Sequence, residues 1–399
     1  MKRTPVQLAS FMVYVSLSQF ALLIFITDYF SFSHSYALLS NNCVLLCCNV
    51  YRNAFPKAKK STCCMSQPLV GIIANPASGR DIRRLVAHGT VFDNNEKVAI
   101  VRRVLLGLEA VGITQVAYMP EHDFGILPRA LLGLSGRQQA SSLQAFPLSM
   151  PVLATSADST RAAQILAEMD AGCIITLGGD GTNRAVAMGS GTVPLVPIST
   201  GTNNVFPTFM EGTIAGMAAG LVATGHISSN TLRRTPRLAV LVNGKEKESA
   251  LVDVVLSSVP FVGSRAIWDL STVREVVLSR VAPASIGLSA LGGALLNHTV
   301  RSAEQPGMHI LLGPGGSEVL VPLAPGLIEW VAVAEYRRLA MDDVVRFQPD
   351  AGTVALDGER EIELSAKSVV EVRLCPDGPF VVDVPAALEG AALAGHLHR

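Results

Sequence analysis

Three short polar segments rich in glycine each follow directly on an apolar run. Asn75-Pro76-Ala77-Ser78-Gly79 follows Leu69–Ala74, and Gly178-Gly179-Asp180-Gly181-Thr182 follows Cys173-Ile174-Ile175-Thr176-Leu177. Ser199-Thr200-Gly201-Thr202-Asn203-Asn204 follows Val193–Ile198. Glycines without a Cβ let backbone N–H groups come close to phosphate oxygens. A helix reading from Asn183 would aim its N-terminus at the same place, favouring an anion by about 0.3–1 kcal/mol. An aspartate inside an anion site is costly unless it binds a metal or takes a proton, which marks Asp180 as a chemical candidate. A tight strand-to-helix turn with Asp180 as N-cap satisfies the same spacing. Asn75 and Ser78 could hold phosphate oxygens through side chains and bare amides, although that segment by itself reads as an ordinary turn. Three such loops at strand ends make a phosphate crevice far more probable than any one of them. The sequence has no Walker A motif, no His-Glu-x-x-His, and no Gly-x-Gly-x-x-Gly after the first strand.

The elements that must position these loops alternate. Leu69–Ala74 is a short apolar run suited to a strand buried on both faces. Glu96 to Val111 reads as helix, with Val98, Val101, Leu105 and Leu108 at three-to-four spacing and Gly112 as a stop. Ile113–Tyr118 reads as the second strand, Pro120 to Pro151 as surface loop, Val152–Thr155 as a short strand, and Ser159–Met169 as helix. Residues 173–177 and 193–198 are further strands, and a small-residue helix covers about Gly212–Thr224. In an α/β sheet, ligands bind outside the carboxyl ends of the strands, where all three loops fall. The fold class expected is α/β: an N-terminal Rossmann-like doubly wound domain followed by a mainly β sandwich.

The second half carries short runs rich in Val, Ile and Leu: Leu238–Val242, Ala250–Ser257, Met308–Leu312, Ile328–Ala334, Val344–Gln348 and Val369–Leu374. Asn243-Gly244 and Asp357-Gly358 are hairpin signals. Asp269–Arg280 reads as the main helix there, Trp268 and Trp330 as core, and Arg233, Arg234 and Arg237 as a solvated linker. The chain thus divides into an extension (1–64), a nucleotide-binding domain (65–228), a β sandwich (229–385) and a tail (386–399).

Charge and cysteine usage narrow the function. Lys+Arg and Asp+Glu are 32 each, so no basic excess points to nucleic acid. Cys43, Cys47, Cys48, Cys63 and Cys64 precede Met65, and only Cys173 and Cys375 follow it. That spacing gives neither a disulfide framework nor a zinc site, and it suits a reducing, cytoplasmic setting. Phe11–Thr27 is an uncharged run, so residues 1–64 read as an upstream stretch before a start at Met65, as a membrane anchor, or as a cleaved signal. A membrane partner is expected only if residues 11–27 are an anchor. A homo-oligomer is compatible with the sequence.

The order Asn-Pro-x-Ser-Gly, Gly-Gly-Asp-Gly-Thr and Pro-x-x-Thr-Gly-Thr-Asn resembles the superfamily of NAD kinases, diacylglycerol kinases and sphingosine kinases, over Val70 to about Leu374. Within it, Asn75–Leu85 and Ser199–Pro207 look most like the ATP-NAD kinase-like group containing acetoin catabolism protein X. The resemblance implies a nucleotide-binding α/β domain, a β sandwich and a site between them. It also implies ATP, Mg²⁺ and phosphoryl transfer to a hydroxyl, with NAD or a related small molecule as acceptor. Carried onto this chain, Asp180 would be general base or Mg²⁺ ligand. Asn75, Ser78, Gly79, Gly178, Gly179, Gly181 and Thr182 would hold ATP phosphates, and Thr202 and Asn203 would line the nucleotide. Asp253, Asp357 and Glu359 would face the acceptor. Where NAD kinases carry Asn before the second acidic residue, this chain has Val252. Residues 282–288 also lack the Thr-Gly and Tyr of the NAD kinases' Thr-Gly-Ser-Thr-Ala-Tyr stretch. A lipid kinase and a non-catalytic nucleotide-binding regulator are the alternatives.

Overall fold

The computed structural model describes residues 15–17, 20–22, 67–79, 92–122, 124–134, 142–227, 229–259, 270–296, 307–347, 352–365 and 367–398. The chain forms two compact units, Met1–Ser66 and Gln67–Arg399. In the first, Val15–Leu17 and Phe20–Leu22 pair antiparallel; the rest of the Phe11–Thr27 run lies outside the described residues. Among the described residues no helix is long and apolar enough to cross a membrane.

In the second unit the strands β1 (Leu69–Ala74), β2 (Gln115–Tyr118), β3 (Gln144–Pro147), β4 (Cys173–Gly178) and β5 (Leu195–Ser199) form a parallel sheet. Helices α1 (Asn94–Ala110), α2 (Ile126–Leu132), α3 (Ser156–Glu168), α4 (Asp180–Ala187) and α5 (Gly212–Ala223) alternate with them. Side chains of successive strand residues point to opposite faces, so the apolar runs feed two cores. Val70, Ile72, Cys173, Ile175 and Leu177 pack with α1, α2 and α5; Leu69, Ile73 and Ile174 pack with Ala162, Ala163, Leu166 and Val186 of α3 and α4. This is the doubly wound arrangement expected. Two elements fall within the expected Pro120–Pro151 loop, α2 and the edge strand β3, while residues 152–155 form no strand.

The chain crosses into the second layer and returns. Strand β6 (Leu232–Arg234) lies at the far edge of the parallel sheet, and β7 (Arg237–Val242), β8 (Lys245–Ala250), β9 (Asp253–Ser257) and β10 (Val273–Leu278) belong to two antiparallel sheets. Helix α6 (Leu288–Ala294) precedes the long hairpin β11 (Gly307–Ala324) and β12 (Leu327–Leu339). Strands β13 (Val344–Phe347), β14 (Gly352–Leu356), β15 (Glu359–Leu364) and β16 (Val370–Cys375) complete the sandwich. Its sheets run β8-β7-β16-β13 and β12-β11-β10-β9-β14-β15, and Leu238, Val240, Val254, Leu256, Val354, Val370 and Val372 fill the space between. Finally β17 (Phe380–Val382) slots between β5 and β6, and α7 (Val384–Leu393) packs Val384 and Ala387 into the first core. The parallel sheet therefore draws on both sides of the expected division at 229, and the helix that the sequence suggests near the C-terminus spans Val384–Leu393.

Both hairpin signals form turns: Asn243-Gly244 and Asp357-Gly358 have positive φ at both residues, the type I′ geometry that matches strand twist. Other expectations fail for identifiable reasons. The Asp269–Arg280 helix is instead β10, because Val273, Val276 and Val277 are β-branched and both faces are buried, Val277 in the sandwich and Val276 and Leu278 against α6. Strand β11 runs straight through Gly313-Pro314-Gly315-Gly316, which loops out as a bulge between Leu312 and Ser317. Trp330 is 67% exposed, opposite Leu320 on the hairpin's outer face, while its neighbours Val331 and Val333 face α6. Trp268 lies outside the described residues. Arg237 bonds Asp377 and Glu246, tying β7 and β8 to the 376–379 turn rather than lying free in a linker.

Candidate active site

The three loops leave adjacent parallel strands at one edge. Ala74 pairs with Leu177 and Gly178 with Ser199, so β1, β4 and β5 end side by side. Their loops are stitched together by their own polar groups. Asn75 Nδ2 donates to Thr182 Oγ1 at 2.9 Å, and Thr200 Oγ1 donates to Ser78 Oγ at 3.0 Å. Within the first loop Ser78 Oγ donates to the Asn75 carbonyl at 2.8 Å, and Asn75 Oδ1 accepts from the Ala77 amide. Thr202 and Asn203 make one local contact, Oγ1 to Oδ1 at 3.4 Å. Among the sequence candidates for nucleotide binding, Asn75, Ser78, Gly79, Gly178, Gly179, Gly181 and Thr182 thus converge, and Thr202 and Asn203 sit on the neighbouring loop.

Two glycines show why no larger residue fits. Gly79 has φ +85°, and a Cβ there would lie 2.9 Å from Phe92 Cβ and 3.1 Å from the Thr200 carbonyl oxygen. A Cβ on Gly179 would lie 2.8 Å from Asn204 Oδ1. Asn204 is itself pinned, donating to Ser199 Oγ at 2.9 Å and the Gly201 carbonyl at 3.2 Å. The backbone of the glycine loop is thereby left bare where α4 begins.

Helix α4 starts at Asp180 with Gly179 as N-cap, so Asp180 is not the N-cap. Buried Asn183 secures the turn, accepting from Thr176 Oγ1 at 2.6 Å and donating to the Gly179 carbonyl at 2.9 Å. The Asp180 carboxylate reaches across to the third loop. Its Oδ1 accepts from the Phe206 amide at 2.7 Å and the Val205 amide at 3.1 Å, and Oδ2 shares the Val205 amide at 3.0 Å. A carboxylate at the start of a helix also gains from the helix dipole.

The second layer supplies Asp253, Asp357 and Glu359, with different outcomes. A Cβ on Gly181 would be 3.9 Å from Glu359 Oε1, so the β14–β15 hairpin brings this carboxylate to the glycine loop. Asp357 is a correction to the acceptor-facing reading: its side chain is fully buried. Oδ1 accepts amides of Leu251, Val252 and Asp253 at 3.0, 2.7 and 3.3 Å, and Arg184 Nε is 3.7 Å from Oδ2. Burial pushes its carboxyl pKa up, against the opposing pull of Arg184 and the amides. Asp253 is also buried, and its Oδ1 accepts from the Gly358 amide at 3.2 Å. These two aspartates fasten β9 to the β14–β15 turn. Val252, where NAD kinases have Asn, is sealed in a small core with Phe206 and Leu251.

Sequence reasoning missed three basic residues. Lys97 is completely buried in α1 under the first loop, and its ammonium donates to the carbonyls of Asn75, Pro76 and Ser78 at 2.8, 3.3 and 2.6 Å and to Asn94 Oδ1 at 3.0 Å. The signal was present: Lys97, Val101, Val104 and Leu108 share one helical stripe. Arg184 joins α4 to Asp357 and to Glu248 at 4.0 Å. Arg280, just past β10, lies 4.9 Å from the Phe206 ring. A cavity of about 450 Å³ is lined by Arg184, Met188, Arg237, Glu246 and Pro379, and none of the three loops lines it.

The arrangement fits the phosphates of a nucleotide: bare backbone at a helix N-terminus, hydroxyls of Ser78, Thr182 and Thr200, and a buried ammonium beneath. It offers Mg²⁺ no cage, since among the described residues no three His, Cys, Asp or Glu side chains gather. An ion with at most one or two carboxylates and the nucleotide's own oxygens is the usual form of Mg²⁺ at such sites.

Residues 70–227 match the ATP-NAD kinase N-terminal domain, and residues 236–377 match the acetoin catabolism protein X C-terminal domain. Acetoin catabolism protein X of Cupriavidus necator is 40% identical over 342 residues, covering 83% of this chain and 94% of that protein. The chain belongs to the acetoin catabolism protein X family. Solved structures similar to this family member include a diacylglycerol kinase from Bacillus anthracis str. Sterne, 13% identical, covering 79% of this chain and 96% of that one at a TM-score of 0.37. A putative diacylglycerol kinase from the same source is 15% identical, covering 79% and 97% at a TM-score of 0.38. The family member has a kinase-type fold, its first domain being that of the ATP-NAD kinases.

Proposed function

We propose that this protein is an ATP-dependent phosphotransferase that passes the γ-phosphoryl group to a hydroxyl of a small molecule, NAD or a related compound. The observation that carries the reading is the convergence of three cross-bonded loops on the N-terminus of α4. Backbone amides there favour the phosphate oxygens, and Ser78, Thr182 and Thr200 add hydroxyls. Phosphoryl transfer depends mainly on positioning and charge stabilisation. Asp180 would serve as the acidic residue beside the transferred group, and Glu359 of the second layer lies near the glycine loop. Mg²⁺ would arrive on the nucleotide and neutralise charge on its oxygens.

The second reading is a nucleotide-binding protein without transferase activity. It is favoured by the engagement of Asp180 with two amides and by the apolar seal around Val252. Incubation with γ-labelled ATP and Mg²⁺, with NAD or diacylglycerol as acceptor, separates the readings. Label in NAD is the expected result. Label in diacylglycerol would move the acceptor to lipids, and bound ATP with no transfer to either would favour the second reading.

A further inference from the structure

Arg280 is a basic group beside the third loop whose buried Nε has no hydrogen-bond partner among the described residues. It leaves the end of β10 in the sandwich, is half-buried as a residue, and stacks its guanidinium 4.9 Å from the ring of Phe206. Phe206 is the residue whose amide Asp180 holds at 2.7 Å. Arg280 therefore sits against the third loop at the point where the glycine loop grips it. The charges of Asp180 and Asp357 both act on it, against a burial that depresses its pKa. Yet its Nε is shut off from solvent and has no hydrogen-bond partner among the described residues.

The two carboxylates are occupied elsewhere. Asp180 accepts amides of Val205 and Phe206. Asp357 accepts amides of Leu251, Val252 and Asp253 and faces Arg184. A guanidinium presents a planar fork of five N–H donors, suited to two oxygens of one phosphoryl group. Buried donors in native proteins are almost always satisfied, and Arg280 Nε is an exception that lies against the third loop. Stacking on Phe206 and the charges of Asp180 and Asp357 fix the position, and a ligand would meet the two Nη groups rather than the buried Nε.

We propose that Arg280 is a ligand-binding residue contributed by the second layer, which grips an anionic phosphoryl oxygen of the ligand held on the glycine loop. This rests on the reading of the crevice as a phosphate site but not on turnover. The class of ligand is a phosphoryl or pyrophosphoryl group, and the fork, rather than the charge alone, supplies the recognition.

The test is calorimetric titration of inorganic pyrophosphate and of ATP into the full chain, alongside Arg280→Met and Arg280→Lys, with melting curves for each. Arg280→Met is expected to weaken pyrophosphate at least tenfold. Arg280→Lys keeps the charge facing Asp180 and Asp357, so it should fold normally, yet it loses the fork and should recover only part of the affinity. Unchanged pyrophosphate affinity in folded Arg280→Met overturns the proposal. Should Arg280→Met not fold, wild-type affinity in Arg280→Lys overturns it equally. Tight pyrophosphate binding by the wild type that is weakened at least tenfold in Arg280→Met and only partly recovered in Arg280→Lys, with no label transfer by the wild type, would sink the phosphotransferase reading and leave this inference standing. Label transfer by a wild type and an Arg280→Met protein that bind pyrophosphate equally would do the reverse.

Discussion

Asp180→Asn separates a chemical role from a structural one, and the structure sets the scale of each. Asn keeps Oδ1, so the Phe206 bond at 2.7 Å and the Val205 bond at 3.1 Å can both persist. The replaced Oδ2 shares the Val205 amide at 3.0 Å, and the new NH₂ would face that donor unfavourably. The two retained bonds also change from charged to neutral acceptors. Hydrogen bonds to charged groups are worth about 1.5–3 kcal/mol and neutral ones about 0.5–1.5 kcal/mol, so the loss of stability is about 1–3 kcal/mol. A general base contributes about 10²–10⁴-fold to rate, or about 3–6 kcal/mol at about 1.4 kcal/mol per tenfold. Turnover with labelled ATP should therefore fall by about two to four orders of magnitude while the protein still folds and binds ATP. Turnover and melting temperature are measured on the same preparation. Near-normal turnover with a lowered melting temperature would refute the reasoning and leave Asp180 as a tie between loops.

Asp357→Ala should be the more destructive change: it strands three amides and takes from Arg184 its buried carboxylate partner, and breaking a buried charged pair costs about 3–5 kcal/mol; denaturant midpoints unchanged from wild type would contradict this. Lys97→Met is expected to keep the helix but release the first loop, weakening ATP at least tenfold, about 1.4 kcal/mol, as read by calorimetry; equal affinity would mean that the loop holds its shape without the ammonium. Acid unfolding carries a signature of Asp377, whose bond to Arg237 holds its carboxyl below the usual range. Because the folded pKa is the lower one, its contribution is complete above about pH 4, the ordinary carboxylate value, and is lost as pH falls through the folded pKa. Asp377→Asn should flatten that part of a stability–pH curve, and an unchanged curve would contradict the assignment.

The α/β half was legible because its signals are local. Apolar runs such as Leu69–Ala74 and 173–177 end in loops whose glycines and hydroxyls are adjacent in sequence, and parallel pairing brings those loops together. The second half was not, because burial there depends on partners distant in sequence. Asp357 looked available at a hairpin turn, yet the amides that claim it belong to residues about a hundred positions earlier. Val273, Val276 and Val277 fit a helical spacing and a two-faced strand alike, and only the facing layers decide between them. Arg280 gave no signal at all, since its importance comes from stacking on Phe206 and from a buried Nε without a partner among the described residues.

The claim that the crevice at β1, β4 and β5 binds nucleotide phosphates is tested most directly by titrating Mg²⁺-ATP into the wild type and Gly179→Val. Valine at 179 places side-chain carbons where the backbone is bare and presses on Asn204, since even a Cβ would be 2.8 Å from Oδ1. The account predicts saturable binding to the wild type and at least a tenfold weaker Kd, about 1.4 kcal/mol, in a folded Gly179→Val protein. Equal affinity in the two proteins, or no saturable binding to the wild type, would contradict it.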